Sequence, residues 1–194
     1  MTDPWEQQAI DDAEAAVWAS TGSWAEGVDH CLSMIEPAVW FDQGPVAEIG
    51  VGVGRLLHPL AQRYPRTRFV GQDPTPTMIA KAAAGCPDPG RVTYQGSPWL
   101  RPLDEPFGAI YSVVTLQHLR PRQQAGVFVV AGSMLAPGGR LRVQWTPAGD
   151  TGPLCHPVPE ADVVAWCGVA GLDVVDLDDD PLFPTWRWLT AERP

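Results

Sequence analysis

Val46-Ala47-Glu48-Ile49-Gly50-Val51-Gly52-Val53-Gly54-Arg55-Leu56 is the stretch from which the rest of the chain can be read. A short apolar run passes into a loop with glycine at every second position, and a helix-like stretch follows from Leu56 to Tyr64. Glycines at a strand-to-helix turn let a ligand lie against bare backbone at a helix N-terminus. The spacing is G-x-G-x-G rather than G-x-G-x-x-G, and Glu48 stands two positions before the first glycine. A carboxylate there suits a ligand with a cationic or amino-acid part better than it suits a pyrophosphate. Roughly 20 residues past the loop, Asp73 closes the run Phe69-Val70-Gly71-Gln72-Asp73, where an acid can accept hydrogen bonds from both ribose hydroxyls. Together the two acids outline a nucleoside that carries no phosphate.

Outward from this segment, short apolar runs alternate with helical stretches. After Val46–Ile49 and the helix from Leu56 come the strand to Asp73, a helix over Met78–Ala84, a strand at Val92–Tyr94 and a strand at Ala109–Val114. A helix from about Arg122 to Leu135, a Pro137-Gly138-Gly139 turn and a strand at Leu141–Trp145 complete the series. Strands alternating with helices imply βαβ units, hence a parallel sheet covered on both faces. The Pro-Gly-Gly turn is expected to end its helix through a glycine at positive φ. Past a Gly- and Pro-rich loop from Thr146 to Pro159, the pattern predicts a helix over Glu160–Ala170. Two closing strands follow, Leu172–Leu177 and Phe183–Leu189, joined by Asp178-Asp179-Asp180-Pro181 and so necessarily antiparallel. Ahead of the glycine loop, Pro4 to Trp40 reads as two helices separated by Ser20-Thr21-Gly22-Ser23, the first amphipathic and laid on something larger.

The 194 residues make one domain, divided into an N-terminal helical lid (1–44), a core (45–145) and a C-terminal helix and hairpin (146–194). The net charge of −10 argues against a protein that grips nucleic acid by neutralising phosphates and against a polybasic membrane binder. That charge is uneven: residues 1–44 hold nine acids and no Lys or Arg, 45–149 hold five acids and eleven bases, and 150–194 hold nine acids and two bases. Acidic flanks folded over a basic core are therefore electrostatically favoured. The cysteines at 31, 86, 155 and 167 form no C-x-x-C pair and no zinc spacing, and read as small buried apolar residues. The first 18 residues carry acids where a signal peptide needs positive charge, and no apolar run reaches a membrane span, so a cytoplasmic protein is expected.

At this level of detail the chain resembles the class I S-adenosylmethionine-dependent methyltransferases. The loop from Glu48 to Leu56 is similar to that family's first motif, and Gly71-Gln72-Asp73-Pro74-Thr75-Pro76-Thr77-Met78-Ile79 to its second. Pro106 to Leu119 resembles the fourth-strand segment, and Met134 to Val143 the turn into the fifth strand. The resemblance implies a Rossmann-like three-layer sandwich: a mainly parallel seven-stranded sheet ending in an antiparallel hairpin. It also implies S-adenosyl-L-methionine as cofactor and S-adenosyl-L-homocysteine as product. Gly50, Gly52 and the Glu48 region would meet the methionine part, Asp73 the ribose, and Thr75 and Met78 the neighbourhood of the adenine, with Arg55 a further cofactor contact. Gly96 and Ser97 stand where the family usually has Gly-Asp reading the adenine amino group. Trp99 would then supply stacking area, and Val114 would close the cofactor site from the fourth strand.

His118, just past the fourth strand, can take a proton from a hydroxyl nucleophile because imidazole titrates near neutrality. Its packing role is the alternative. Trp18, Trp24, His30, Gln117 and His156 are the candidate substrate contacts, drawn from segments that would cover the pocket. His58 is expected to face solvent or backbone, and most of the nine tryptophans to pack in the core. These readings imply methyl transfer to an O or N nucleophile of a small molecule, as in specialised metabolism, without metal, nucleic acid or membrane. The alternatives are a cofactor-binding protein of this fold that does not methylate, as a binding module or cyclase, and a nicotinamide-dependent oxidoreductase.

Overall fold

The computed structural model describes residue 7, residues 23–148 and residues 155–194. In chain order the elements are α1 (Trp24–Ile35), β1 (Val46–Ile49), α2 (Leu57–Arg63), β2 (Phe69–Asp73), α3 (Pro76–Ala84), β3 (Val92–Gly96) and β4 (Phe107–Val113). A 3-10 turn (Leu116–His118), α4 (Pro121–Met134), β5 (Leu135–Trp145), α5 (Glu160–Val169), β6 (Asp173–Asp179) and β7 (Arg187–Glu192) follow. The seven strands form one sheet in the order β3-β2-β1-β4-β5-β7-β6. All neighbours run parallel except β7, which is antiparallel to both β5 and β6. This is the mainly parallel three-layer sandwich with a closing hairpin that the sequence implies.

The central strands are apolar on both faces because helices cover both. On one side Leu32 and Ile35 of α1 and Leu57 and Leu60 of α2 pack on Val46, Phe69, Ala109, Tyr111 and Trp188. On the other, Val127, Phe128 and Ala131 of α4 and Val163 and Cys167 of α5 pack on Ala47, Ile49, Val70 and Ile110. Trp145 and Trp188 are both fully buried, and each indole N–H is satisfied: Trp145 donates to the Val158 carbonyl at 3.0 Å and Trp188 to Asp180 at 2.8 Å.

Several expectations shift. Of the two N-terminal helices, the first lies outside the described residues, as does Trp18. The second starts at Trp24 behind a Ser23/Glu26 capping box and ends at Ile35, short of Trp40. The Pro137-Gly138-Gly139 segment belongs to β5, which begins at Leu135 and whose pairing with β4 is irregular between Phe107 and Ala109. Gly138 does adopt a positive φ of 76°, but its N–H donates to the Arg193 carbonyl, so the segment is tied to the C-terminal strand. The hairpin turn also moves: Asp178 and Asp179 complete β6, and Asp180 opens the turn. His58, expected to face solvent or backbone, is half-buried and does meet backbone, at Ala82, while its Nε2 also lies 2.8 Å from the Tyr94 hydroxyl.

Candidate functional site

The C-terminal ends of β1, β2 and β4 meet at a cavity of about 140 Å³ that opens to solvent. The glycine loop forms one wall, with Gly50, Gly52 and Gly54 at φ of 78°, 52° and 86°. Gly50 and Val51 donate their N–H groups to the Gln72 carbonyl at 2.8 and 2.9 Å, fixing the loop on the end of β2. The cavity is also lined by Val113, the last residue of β4, and by Val114, Thr115, His118 and Leu119 beyond it. Val114 has φ 57°, a costly conformation for a β-branched residue and typical of a backbone held for function.

Glu48 and Asp73 both line this cavity. The Asp73 carboxylate is clamped by backbone: Oδ2 accepts from Gly52 N–H at 3.0 Å and Oδ1 from Thr75 N–H at 2.9 Å. Glu48 is buried in β1 and accepts a hydrogen bond from the Tyr111 hydroxyl at 2.9 Å. Burial raises its pKa to about 8, with Tyr111 and Arg55 opposing the rise and Asp73 adding to it. This environment keeps the carboxyl largely protonated at neutral pH, and a cation brought beside it would favour the carboxylate.

A second, smaller cavity, of about 60 Å³, shares Gly50, Pro74, Thr115 and Leu119 with the first. Its other walls include Gln72, Pro98, Trp99 and Gln123. The two adjoin across those four shared residues: the first is acidic and faces the glycine loop, and the second is lined by prolines, Leu119 and an indole.

Eight of the cofactor candidates read from the sequence meet at the first cavity: Glu48, Gly50, Gly52, Arg55, Asp73, Thr75, Met78 and Val114. Trp99 reaches the second. Gly96 and Ser97 line neither. The Ser97 hydroxyl is turned inward, donating to the Trp99 carbonyl at 2.5 Å and accepting from Trp99 N–H at 3.2 Å, so it shapes the Trp99 loop. His118 lines the first cavity, and its Nδ1 lies 3.3 Å from the Cys155 sulfur. That contact departs from the reading of all four cysteines as buried apolar residues; Cys155 is only half-buried.

The substrate candidates divide. Gln117, next to His118 in the chain, is buried and lines neither cavity, its backbone carbonyl accepting from His156 N–H at 2.7 Å. His156 and Trp24 are half-buried and line neither cavity. His30 is buried against the hairpin turn, with Nε2 at 2.9 and 3.0 Å from the two Asp180 oxygens. Asp180 is a residue that sequence reasoning missed as a functional partner. It also accepts from Gln144 Nε2, Trp188 Nε1 and the N–H groups of Leu182 and Phe183. Burial alone would raise its pKa, but these hydrogen bonds, His30 first, hold it below the ordinary carboxylate value. Among the described residues no group of three His, Cys, Asp or Glu could hold a metal, and no helix is long and apolar enough to cross a membrane.

Strand order, glycine loop and paired acids define an α/β protein built to hold a nucleoside at the carboxyl edge of its sheet. Residues 46–139 match the family described as "Methyltransferase domain". The matched segment, just under half of the chain, is similar to a methyltransferase domain of the class I, S-adenosylmethionine-dependent type. Over 99 residues it is 33% identical to trans-aconitate 2-methyltransferase of Escherichia coli O1:K1 / APEC, a match covering 51% of this chain and 38% of that relative's length. In fold it is similar to magnesium protoporphyrin IX methyltransferase (ChlM) from Synechocystis PCC 6803, crystallised with bound SAH. There the TM-score is 0.75 at 17% identity, over 98% of this chain and 96% of that one. It is equally similar in fold to the [4+2]-cyclase SpnF, with TM-score 0.75 at 14% identity over 98% and 93% of the two chains.

Proposed function

We propose that the protein transfers a methyl group from S-adenosyl-L-methionine to an O or N nucleophile of a small molecule. The carrying observation is the pair of adjoining cavities, the first lined by Glu48, Asp73 and His118 and the second by Trp99. Asp73, pre-set by two backbone N–H groups, accepts from the ribose hydroxyls. Glu48 faces the cationic methionine end, and the slot of Pro74, Trp99 and Leu119 takes the adenine. The bound cofactor supplies a methyl group already activated on a sulfonium, so the protein's task is alignment and exclusion of water. Val113, Val114, Leu119 and Met78 provide the apolar wall for that. His118, which lines the first cavity, takes the proton from a hydroxyl acceptor. Only the short segment 146–159 separates β5 from the terminal helix, which favours a small acceptor, as in specialised metabolism.

The test is calorimetric titration of the protein with S-adenosylhomocysteine and with NAD, alongside an assay of S-adenosylhomocysteine release from a panel of acceptors. S-Adenosylhomocysteine should bind and NAD should not, and Asp73→Ala should weaken the former by about thirty-fold, as expected for two lost charge-assisted hydrogen bonds. His118→Ala should leave that binding within about two-fold and lower turnover by about 10²-fold or more. Binding without methyl transfer to any acceptor would point to a non-methylating member of the fold.

A further inference from the structure

The second cavity is lined mostly by apolar side chains, but Gln72 and Gln123 both reach it. An amide carries an acceptor at one end and two N–H donors at the other, so what each residue offers depends on which end its neighbours take. Gln72, in β2 beside Asp73, donates its Nε2 hydrogen to the Ser97 carbonyl. Turning that amide round would set carbonyl against carbonyl, so the Gln72 carbonyl oxygen is the end left over. Among the described residues no donor meets this oxygen, and it is not sealed in protein: it opens on the cavity that Gln72 lines.

Gln123 is locked in the opposite sense. It is half-buried in the first turn of α4, and its Oε1 accepts from the Arg120 N–H at 3.1 Å as part of the helix cap. Turning this amide would set NH2 against N–H, so the NH2 is the end left over. One small cavity is thus lined by a residue with a spare acceptor and a residue with spare donors. The other polar groups there are committed or peripheral: the Thr115 hydroxyl donates to the Val113 carbonyl at 3.1 Å, and the indole of Trp99 lies flat enough on α4 that a Cβ at Gly126 would come within 2.5 Å of it. Ser97 stands where an acid would read an adenine amino group, and its hydroxyl is spent on the Trp99 backbone. Its backbone carbonyl instead orients Gln72.

We propose that Gln72 and Gln123 read the Watson–Crick edge of a 6-aminopurine: the Gln72 carbonyl accepts from the exocyclic amino group, and the Gln123 NH2 donates to the adjacent ring nitrogen. This rests on the proposed function, in which the ribose is held at Asp73, so that the edge of the base remote from the sugar enters the second cavity. It names two specificity residues in place of the missing acid. In a 6-oxopurine both groups invert: an oxygen meets the Gln72 carbonyl, and a ring N–H meets the Gln123 NH2. Such a base is rejected because acceptor faces acceptor and donor faces donor.

The experiment is calorimetric titration of the full-length protein with S-adenosylhomocysteine and with its 6-oxo counterpart, S-inosylhomocysteine. The adenine compound should bind at least about ten-fold more tightly. Gln123→Glu keeps the oxygen that caps α4 and replaces only the NH2, so it should weaken S-adenosylhomocysteine about ten-fold while S-inosylhomocysteine binds no worse than to the wild type. Gln72→Met, which removes the acceptor, should likewise reduce the preference; if it does not fold, Gln123→Glu carries the test. A residue that only supports the fold would weaken both ligands by the same factor. A preference under about ten-fold in the wild type, or an unchanged preference in folded Gln123→Glu, would therefore overturn the inference and leave the proposed function standing. Failure of S-adenosylhomocysteine itself to bind is a separate result, which would overturn the proposed function and this inference with it.

Discussion

A Cβ built on Gly50 would lie 2.1 Å from the Thr115 hydroxyl oxygen, and the residue's φ of 78° is one that L side chains rarely adopt. Both effects act on Gly50→Ala: backbone strain of about 1–2 kcal/mol and overpacking of about 1–3 kcal/mol. Thr115 lines both cavities, so relief of the clash must distort the site as well. Gly50→Ala should lower the melting temperature by several degrees and weaken S-adenosylhomocysteine binding by about ten-fold or more. Adding Thr115→Ala should recover the packing part and leave the strain, a partial rescue measurable by calorimetry. Residues of this kind are legible in the sequence because strand, loop and acid are consecutive, and Asp73 reaches back only 21 positions to Gly52. Gln144, Asp180 and Cys155 are not, because their meaning lies in partners remote along the chain. His30 and Asp180 are 150 positions apart, and Cys155 and His118 are 37 apart. Ser97 fails in the opposite sense: its position matches, but a hydroxyl beside the Trp99 backbone bonds locally instead of reaching a ligand.

Elements are more legible than their ends. Each strand and helix of the core shows in its periodicity, since burial on both faces leaves an unbroken apolar run whatever the partner. The hairpin is displaced because three consecutive aspartates read as a turn, whereas β6 is an edge strand, where exposed Asp176 and Asp179 are tolerated and discourage edge-to-edge pairing. Only the third aspartate turns inward, and it ties the hairpin to α1 through His30 and to β5 through Gln144. In Asp180→Asn an NH2 group would face the Gln144, Trp188 or His30 donors, leaving buried donors unpaired. That substitution should cost about 3 kcal/mol, by analogy with breaking a buried charged pair. The melting temperature should fall by roughly 6–12 °C in a chain of this size. His30→Ala should cost less, since four other donors still hold the carboxylate. A calorimetric scan of the two variants gives the order, and a larger loss for His30→Ala would refute this role of the aspartate clasp.

For the molecule as a whole, the acidic flanks and basic core do meet: Arg63 pairs with Glu36, Arg140 with Glu192 and Arg142 with Asp178. Pairs with an exposed partner contribute little, so the charge pattern readable in the sequence is a weak guide to stability. The pH response should instead follow the buried carboxyls, whose environment no composition reveals. Glu48 is raised to about 8 from 4.5, so between those values the folded protein holds a proton that the unfolded chain has released. Its contribution to stability is full below about pH 4.5 and is lost as pH rises through about 8. Asp180 is lowered, so its contribution is present above the ordinary carboxylate range and is lost as pH falls through its folded value. Stability should therefore decline towards both extremes, with the alkaline limb belonging to Glu48 and amounting to a few kcal/mol in order of magnitude. Melting curves from pH 5 to 8.5 should show that limb in the wild type and a nearly flat response in Glu48→Gln. The proposed ligand carries an ammonium group, so its binding should release a proton from Glu48 at pH 7. Titrations in buffers of different ionisation enthalpy would measure that release, and its absence from Glu48→Gln would assign the proton to this carboxyl. If Glu48→Gln kept both the alkaline limb and the proton release, the buried acid of the glycine loop would not be the group that couples ligand, charge and fold.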